Sequence, residues 1–419
     1  MNPVLAKTQG GNPSLREAEV SFRLSGRIAE LDGIRGLAIG MVLIYHYFLI
    51  RIDVPMRSAA AYALSTGRLA WSGVDLFFVL SGFLIGGILL EARGSVNYFR
   101  VFYTRRFFRI VPIYAVLLSA CYVVHTLVRL GVGGRIASLT QGELPWIPHL
   151  LFLQNFWMAW RNTLGTPALS VTWSLAVEEQ FYLTLPLIVW ALSPRRLVIF
   201  LGAGALSAPI LRFALHTLWP GHVWAWFTLM PCRADSLLLG VLGAVVIRDS
   251  ACRAWLEEHR RLMRWVLLVL VMGIAVLTKY SAGFFDTTGT LIVTVGFTWL
   301  AAFYLCALMY SLLWRDSVLS RCLRWSWLCW LGAIAYGTYL LHELIEGLAY
   351  GLIWSRPPLI LSVPNFGVSL LALGVTLVIC RASWILFERP LVKIGHRAQY
   401  KFARHSNSIR VSAVPVGES

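Results

Sequence analysis

Apolar residues run along this chain in long, nearly unbroken blocks, with polar residues gathered between them. A bilayer's hydrocarbon core takes about 20 mostly apolar helical residues to cross. Ten segments have that character: 36–52, 72–91, 110–128, 171–193, 197–215, 223–247, 265–280, 287–313, 328–350 and 361–387. The pattern predicts an all-α, polytopic transmembrane helical bundle of about ten spans. The apolar stretch 146–160 is broken by Pro148 and rich in Trp, so it reads as an interfacial or re-entrant piece. No polar stretch between the blocks is long enough to hold a core of its own. The organisation expected is an N-terminal tail over 1–34, a membrane domain over 35–392 and a C-terminal tail over 393–419. The first thirty residues contain no signal-peptide core, so the first apolar run is expected to serve as the insertion signal.

Composition supports a lipid solvent. Of 419 residues, 58% are hydrophobic and only 14% are charged, whereas a soluble domain carries about 25% charged residues. The net charge of +17 would suggest nucleic acid in a soluble protein. Here the distribution matters more. With the ten spans above and the N-terminus inside, 26 of the 37 Lys and Arg fall on the inner side and nine on the outer. Arg233 and Arg381 lie within spans. That asymmetry predicts an N-in/C-in arrangement, with membrane lipid and not nucleic acid as the partner. The seven cysteines form no C-x-x-C pair, are odd in number and mostly sit in apolar runs, so they read as small membrane-core residues and not as a disulfide frame or a metal site.

Ionisable residues inside spans are costly, so each marks a candidate site. His46 follows Arg35 by eleven residues, which returns it to nearly the same helix face about 16 Å further along. Glu178 and Glu179 enter the fourth span together and point in different directions, so one at most faces His46. Arg233 and Asp235 are close enough in sequence to neutralise each other as a structural ion pair. Tyr336, Tyr339 and His342 share a broad helix face at i, i+3, i+6. Glu343 then faces elsewhere. On the inner side, Arg106 and Arg109 are i, i+3 neighbours beside Arg105, a geometry that suits phosphate groups or lipid headgroups. Asp75 opens the second span. Ser81-Gly82, with Gly86 and Gly87, makes a small-residue face for close helix approach.

Seven blocks of this chain, in order, resemble the acyltransferase-3 (OafA-like) family of membrane acyltransferases. They are Arg35 with His46 (Arg-x10-His), GVDLFFVLSGFLIG, FYTRRFFRIVPIY, TWSLAVEEQFYL, CRADSLLLG, AYGTYLLH and FERP, spanning residues 28–392. Ala335 stands where the family usually has Ser. The resemblance implies an integral protein of the bacterial inner membrane that moves an acyl group, expected to be acetyl, from cytoplasmic acyl-CoA to a hydroxyl of a carbohydrate or other exported acceptor. It implies His46 as the catalytic base, with Glu178 orienting it. Arg35, Arg105, Arg106 and Arg109 would hold CoA, and Asp75, Arg233, Asp235, Tyr339 and His342 would position the acceptor. No metal is expected. Many relatives carry an extra extracytoplasmic domain, so direct transfer or a separate acyl-accepting protein is expected here.

Two other classes remain open at this stage. A proton-coupled secondary transporter would use His46, Glu178, Arg233 and Asp235 as a relay, although no internal repeat is visible. A scaffold would use them only to join helices. Release of CoA thiol separates an enzyme from both.

Overall fold

In the computed structural model, residues 28–52, 67–280 and 289–402 are described. Residues 1–27 and 403–419, most of the two expected tails, and Arg57 of the outer charges lie outside them. Ten long helices stand over the ten apolar runs. They are α1 (Ala29–Ile44), α2 (Gly73–Ala92), α3 (Tyr98–Arg129), α4 (Thr172–Ala191), α5 (Pro194–Leu218), α6 (Met230–Arg248), α7 (Arg260–Tyr280), α8 (Phe297–Leu313), α9 (Ala335–Trp354) and α10 (Val363–Ser383). No strand occurs among the described residues; two isolated bridges, Ile52 with Ile360 and Ser95 with Phe402, tie loops together.

Among the described residues, six stretches, built on α2, α3, α5, α6, α8 and α10, are long and apolar enough to cross a membrane. A seventh arises if Ser326–Ala333 and α9 count as one span, although they are bent by 72°. The chain is thus an integral membrane protein. The single span expected over 328–350 is broken at Ile334, whose φ −100° and ψ 4° leave the helical region. α1 and α4 carry acidic residues within their length, which lowers their apolar character.

Burial separates the centre from the rim. The apolar windows of α2 and α6 are 67% and 61% buried, those of α5 and α10 only 28% and 17%. The rim helices therefore turn apolar side chains such as Leu206, Ile210, Leu371 and Val378 outward, as lipid contact requires. α2 and α6 meet at the expected small-residue face. A Cβ on Gly82 would lie 2.0 Å from the Leu237 carbonyl oxygen, and one on Gly240 2.2 Å from that of Val79. α1 meets Ser326–Ala333 in the same way, with a Cβ on Gly332 2.0 Å from the Asp32 oxygen. Backbones can approach this closely only where the side chain is a hydrogen.

Among the described residues three π turns interrupt the ladder: Tyr45–Leu49 after α1, Ile292–Gly296 before α8 and Trp384–Glu388 after α10. The segment 146–160 forms two short helices, Trp146–Leu150 and Gln154–Arg161. Residues 389–402 fold back on α3: helix Arg389–His396 packs along it, and Arg105 donates to the Ala398 carbonyl at 2.9 and 2.7 Å.

Candidate active site

His46 stands where α1 loosens into its π turn, a distortion that collects at functional sites. Its ring is 4.9 Å, centroid to centroid, from that of His342 on α9. His46 Nδ1 lies 3.1 Å from the Val42 carbonyl oxygen and 3.3 Å from His342 Nε2. His342 is fully buried, with Nδ1 at 2.7 Å from the Tyr339 carbonyl oxygen and 3.2 Å from that of Thr338. On the other edge of His46, Nε2 is 3.7 Å from Glu343 Oε1. Arg51 donates to Glu343 Oε2 at 2.8 Å and to Glu346 Oε2 at 2.9 Å, so two carboxylates share one guanidinium.

His46, His342 and Glu343 offer atoms within 4.8 Å of one another, as metal ligands do. The one nitrogen of His342 not turned to carbonyls already faces His46 Nδ1 directly. The cluster therefore fits proton handling better than a metal.

Below this cluster lies a cavity of about 310 Å³, walled by α1, α2, α3, α4 and α9. Arg35, Arg106, Arg109 and His396 give it a basic end. Arg106 Nε is buried without a protein partner, an unmet donor on the cavity wall. Its guanidinium lies 5.8 Å from the centre of the Tyr182 ring. Phe77, Ser174 and Tyr339 line the same cavity. Tyr339 and Ser174 hydroxyls meet at 2.5 Å, and Tyr339 donates to the Val171 carbonyl at 3.1 Å. The Tyr339 ring stands 5.9 Å from that of His342, so it is the layer between the cavity and the histidine pair.

The structure thus brings Arg35, Arg106, Arg109, Glu178 and Tyr339 to one cavity, with His46 and His342 together just beyond it. Other expected placements differ. The carboxylate that meets His46 is Glu343, not Glu178. Glu178 accepts from Tyr182 at 3.1 Å, and Tyr182 in turn meets the Ser81 hydroxyl. The reason is axial register. Ser174 meets Tyr339, while Glu178 lies one turn along α4 and His342 one turn along α9 in the other direction. Two turns separate helix levels by roughly 11 Å.

Glu343 does not face away from the site either: the His46 ring lies over the sector between consecutive residues 342 and 343 and touches both. Arg105 points to Ala398 and lies 5.1 Å from the Tyr400 ring centre, and is not among the cavity's lining residues.

Arg233 and Asp235 do not pair with each other. Residues two apart on a helix point to opposite sides, so Arg233 reaches Asp75 at 2.5 Å and Asp235 reaches Arg212 at 2.9 Å. Asp75, Arg233 and Asp235 are buried and do not line the cavity. Arg233 sits among the rings of Phe78, Trp173, Phe227 and Phe297, the last at 4.1 Å. Arg51, Glu346 and His396 carried no signal at the level of sequence beyond their charge; only the fold brings them to the site.

The acyltransferase-domain family model matches residues 28–385. The chain belongs to the acyltransferase-3 family. Among curated relatives, it is 26% identical over 423 residues to the peptidoglycan O-acetyltransferase OatA of Listeria monocytogenes, covering 93% of this chain and 60% of that protein. It is 28% identical over 264 residues to the O-acetyltransferase OatA of Staphylococcus aureus, covering 59% of this chain and 39% of that one. The chain thus spans 60% or less of the length of these relatives. No solved structure matches it.

Proposed function

We propose that this acyltransferase-3 protein carries an acyl group, acetyl in the first instance, from acyl-CoA across the membrane interior to a hydroxyl of a cell-wall carbohydrate. The observation that carries this reading is the continuity of the site. A cavity with three arginines and a histidine at one end runs to Tyr339, and His342 and His46 follow directly behind it. Arg35, Arg106 and Arg109 suit the phosphates of CoA, because guanidinium groups pair with phosphate oxygens in forked geometry. The unmet Arg106 Nε is a donor such a ligand would satisfy. The names of the two OatA relatives support acetyl as the acyl group, and that of the Listeria protein supports peptidoglycan as the acceptor.

In the reaction proposed, the acceptor hydroxyl gives its proton to His46 as its oxygen attacks the thioester carbonyl. The C–S bond breaks, and the departing thiolate takes that proton back, leaving an ester and CoA-SH. Glu343, 3.7 Å from His46 Nε2, balances the imidazolium that forms between the two steps. Tyr339, between cavity and histidines, holds the thioester end of the donor. The ten helices belong to the same proposal as ten spans with both termini inside, supported by the coincidence of long helices with apolar runs and by the 26-to-9 charge split.

The test is CoA-SH release from acetyl-CoA by the full chain in nanodiscs, with muropeptides as acceptor and unrelated glycans as controls. Muropeptide-dependent thiol release that His46→Ala abolishes is the expected result. Thiol release that His46→Ala leaves intact rejects the base assignment. Absence of release with every acyl-CoA and acceptor rejects the enzyme reading and returns proton-coupled transport.

A further inference from the structure

We infer that His342 is a positioning residue, which locks His46 into the tautomer whose Nε2 is free to act as a base. The inference rests on His46 being the base in the reaction proposed above; its own content is which ring nitrogen does the work, and what enforces it.

The argument needs only donors and acceptors. A carbonyl oxygen accepts and never donates. His342 Nδ1 has two of them, from Tyr339 at 2.7 Å and Thr338 at 3.2 Å. An unprotonated Nδ1 there would set a lone pair against two others in a fully buried site. His342 Nδ1 therefore carries the proton, and in the neutral ring Nε2 is an acceptor. That acceptor is 3.3 Å from His46 Nδ1, which also faces the Val42 carbonyl oxygen at 3.1 Å. Both neighbours of His46 Nδ1 are acceptors, so His46 Nδ1 is the donor. Its Nε2 is left with the lone pair, on the edge turned toward Glu343, whose nearest oxygen at 3.7 Å lies beyond hydrogen-bond distance and so competes less for the proton than the two acceptors at Nδ1.

The carbonyls of α9 belong to the helix and cannot rotate. The preference thus passes from rigid backbone through His342 to His46. A tautomer set by the hydrogen bond at the other nitrogen is a general device of histidine sites. The same contact strengthens when His46 becomes an imidazolium, since its Nδ1–H is then a charged donor to His342 Nε2.

Two variants and one spectrum separate this role from packing. His342→Leu fills the space but removes the acceptor. His342→Gln keeps a carbonyl oxygen near the level of Nε2. Wild type with selectively ¹⁵N-labelled histidine reports the tautomer directly, and needs no turnover. The expected result is a His46 signal, assigned by its loss in His46→Ala, with Nδ1 protonated in wild type and in His342→Gln and a mixture of tautomers in His342→Leu. In thiol release, His342→Leu should lose kcat by roughly 10- to 1,000-fold, below the loss of about 10⁴ seen when a triad histidine is put in the wrong tautomer. KM for acetyl-CoA and CoA binding should stay unchanged, and His342→Gln should recover most of the rate.

A kcat for His342→Leu within twofold of wild type, with His46→Ala inactive, overturns the inference while leaving His46 as base. So does an Nε2-protonated His46 in wild type. So does stoichiometric bound metal that His342→Leu releases, since the pair would then be ligands. If wild type shows no turnover at all, the reaction proposed above fails, and the ¹⁵N spectrum still decides the tautomer.

Discussion

Replacing Glu343 by Gln removes a negative charge 3.7 Å from His46 Nε2 and leaves the side chain's shape nearly unchanged. Two unit charges at 3.7 Å attract by about 4.5 kcal/mol at an effective dielectric near 20. Arg51 sits 2.8 Å from the same carboxylate and cancels part of that field. Taking half as the net effect on the imidazolium leaves about 2 kcal/mol, which is a loss of roughly 30-fold in kcat. KM for acetyl-CoA should not move, because Glu343 does not line the cavity that carries Arg35, Arg106 and Arg109. The fold should survive, because Arg51 keeps Glu346 at 2.9 Å. The assay is thiol release at saturating acetyl-CoA, with CoA binding measured on the same preparation. A kcat within threefold of wild type would refute the reasoning, and would return the charge-balancing role to some other group.

Removing either Arg106 or Arg109 as Ala should weaken CoA binding about tenfold, or roughly 1.4 kcal/mol, in calorimetry on nanodiscs. Unchanged affinity in both would remove the basic end of the cavity as the donor site. Gly82→Ala drives a Cβ to 2.0 Å from the Leu237 carbonyl oxygen and should destabilise the α2–α6 contact by about 1–3 kcal/mol, read as a lower thermal midpoint in detergent. Arg233→Met leaves Asp75 buried without its cation, at a cost of about 3–5 kcal/mol. Folded protein that survives should bind CoA normally, and a selective loss of CoA binding would show that Arg233 acts at the cavity after all.

Much of the site was legible because some of its signals are local. Arg106 and Arg109 share a helix face by spacing alone, and both line the cavity as that spacing suggests. Arg35 lies on α1 and His46 in the π turn that continues it, and the two come to the cavity and to the histidine pair beyond it. The failures share a cause. The expectation that Glu178 orients His46 carries no information on how their two helices slide past each other. Arg233 and Asp235 were matched because they are close in sequence, although helix geometry turns them apart. His396 falls within the expected C-terminal tail, yet Arg389–His396 packs against α3 and brings it to the cavity.

The sequence by itself determined that the chain is helical, that it lives in lipid, and which residues pay the cost of polarity there. These follow from hydrophobicity and helical phase, which each segment carries without reference to its neighbours. The tertiary structure decided the partners: Glu343 for His46, Asp75 for Arg233, and two helix carbonyls for His342. Partners depend on axial register between helices. That register is set where backbones touch, at contacts such as Gly82 with Leu237 and Gly332 with Asp32. A slide of one turn, about 5.4 Å, exchanges every partner and leaves the hydrophobic pattern of each helix as it was.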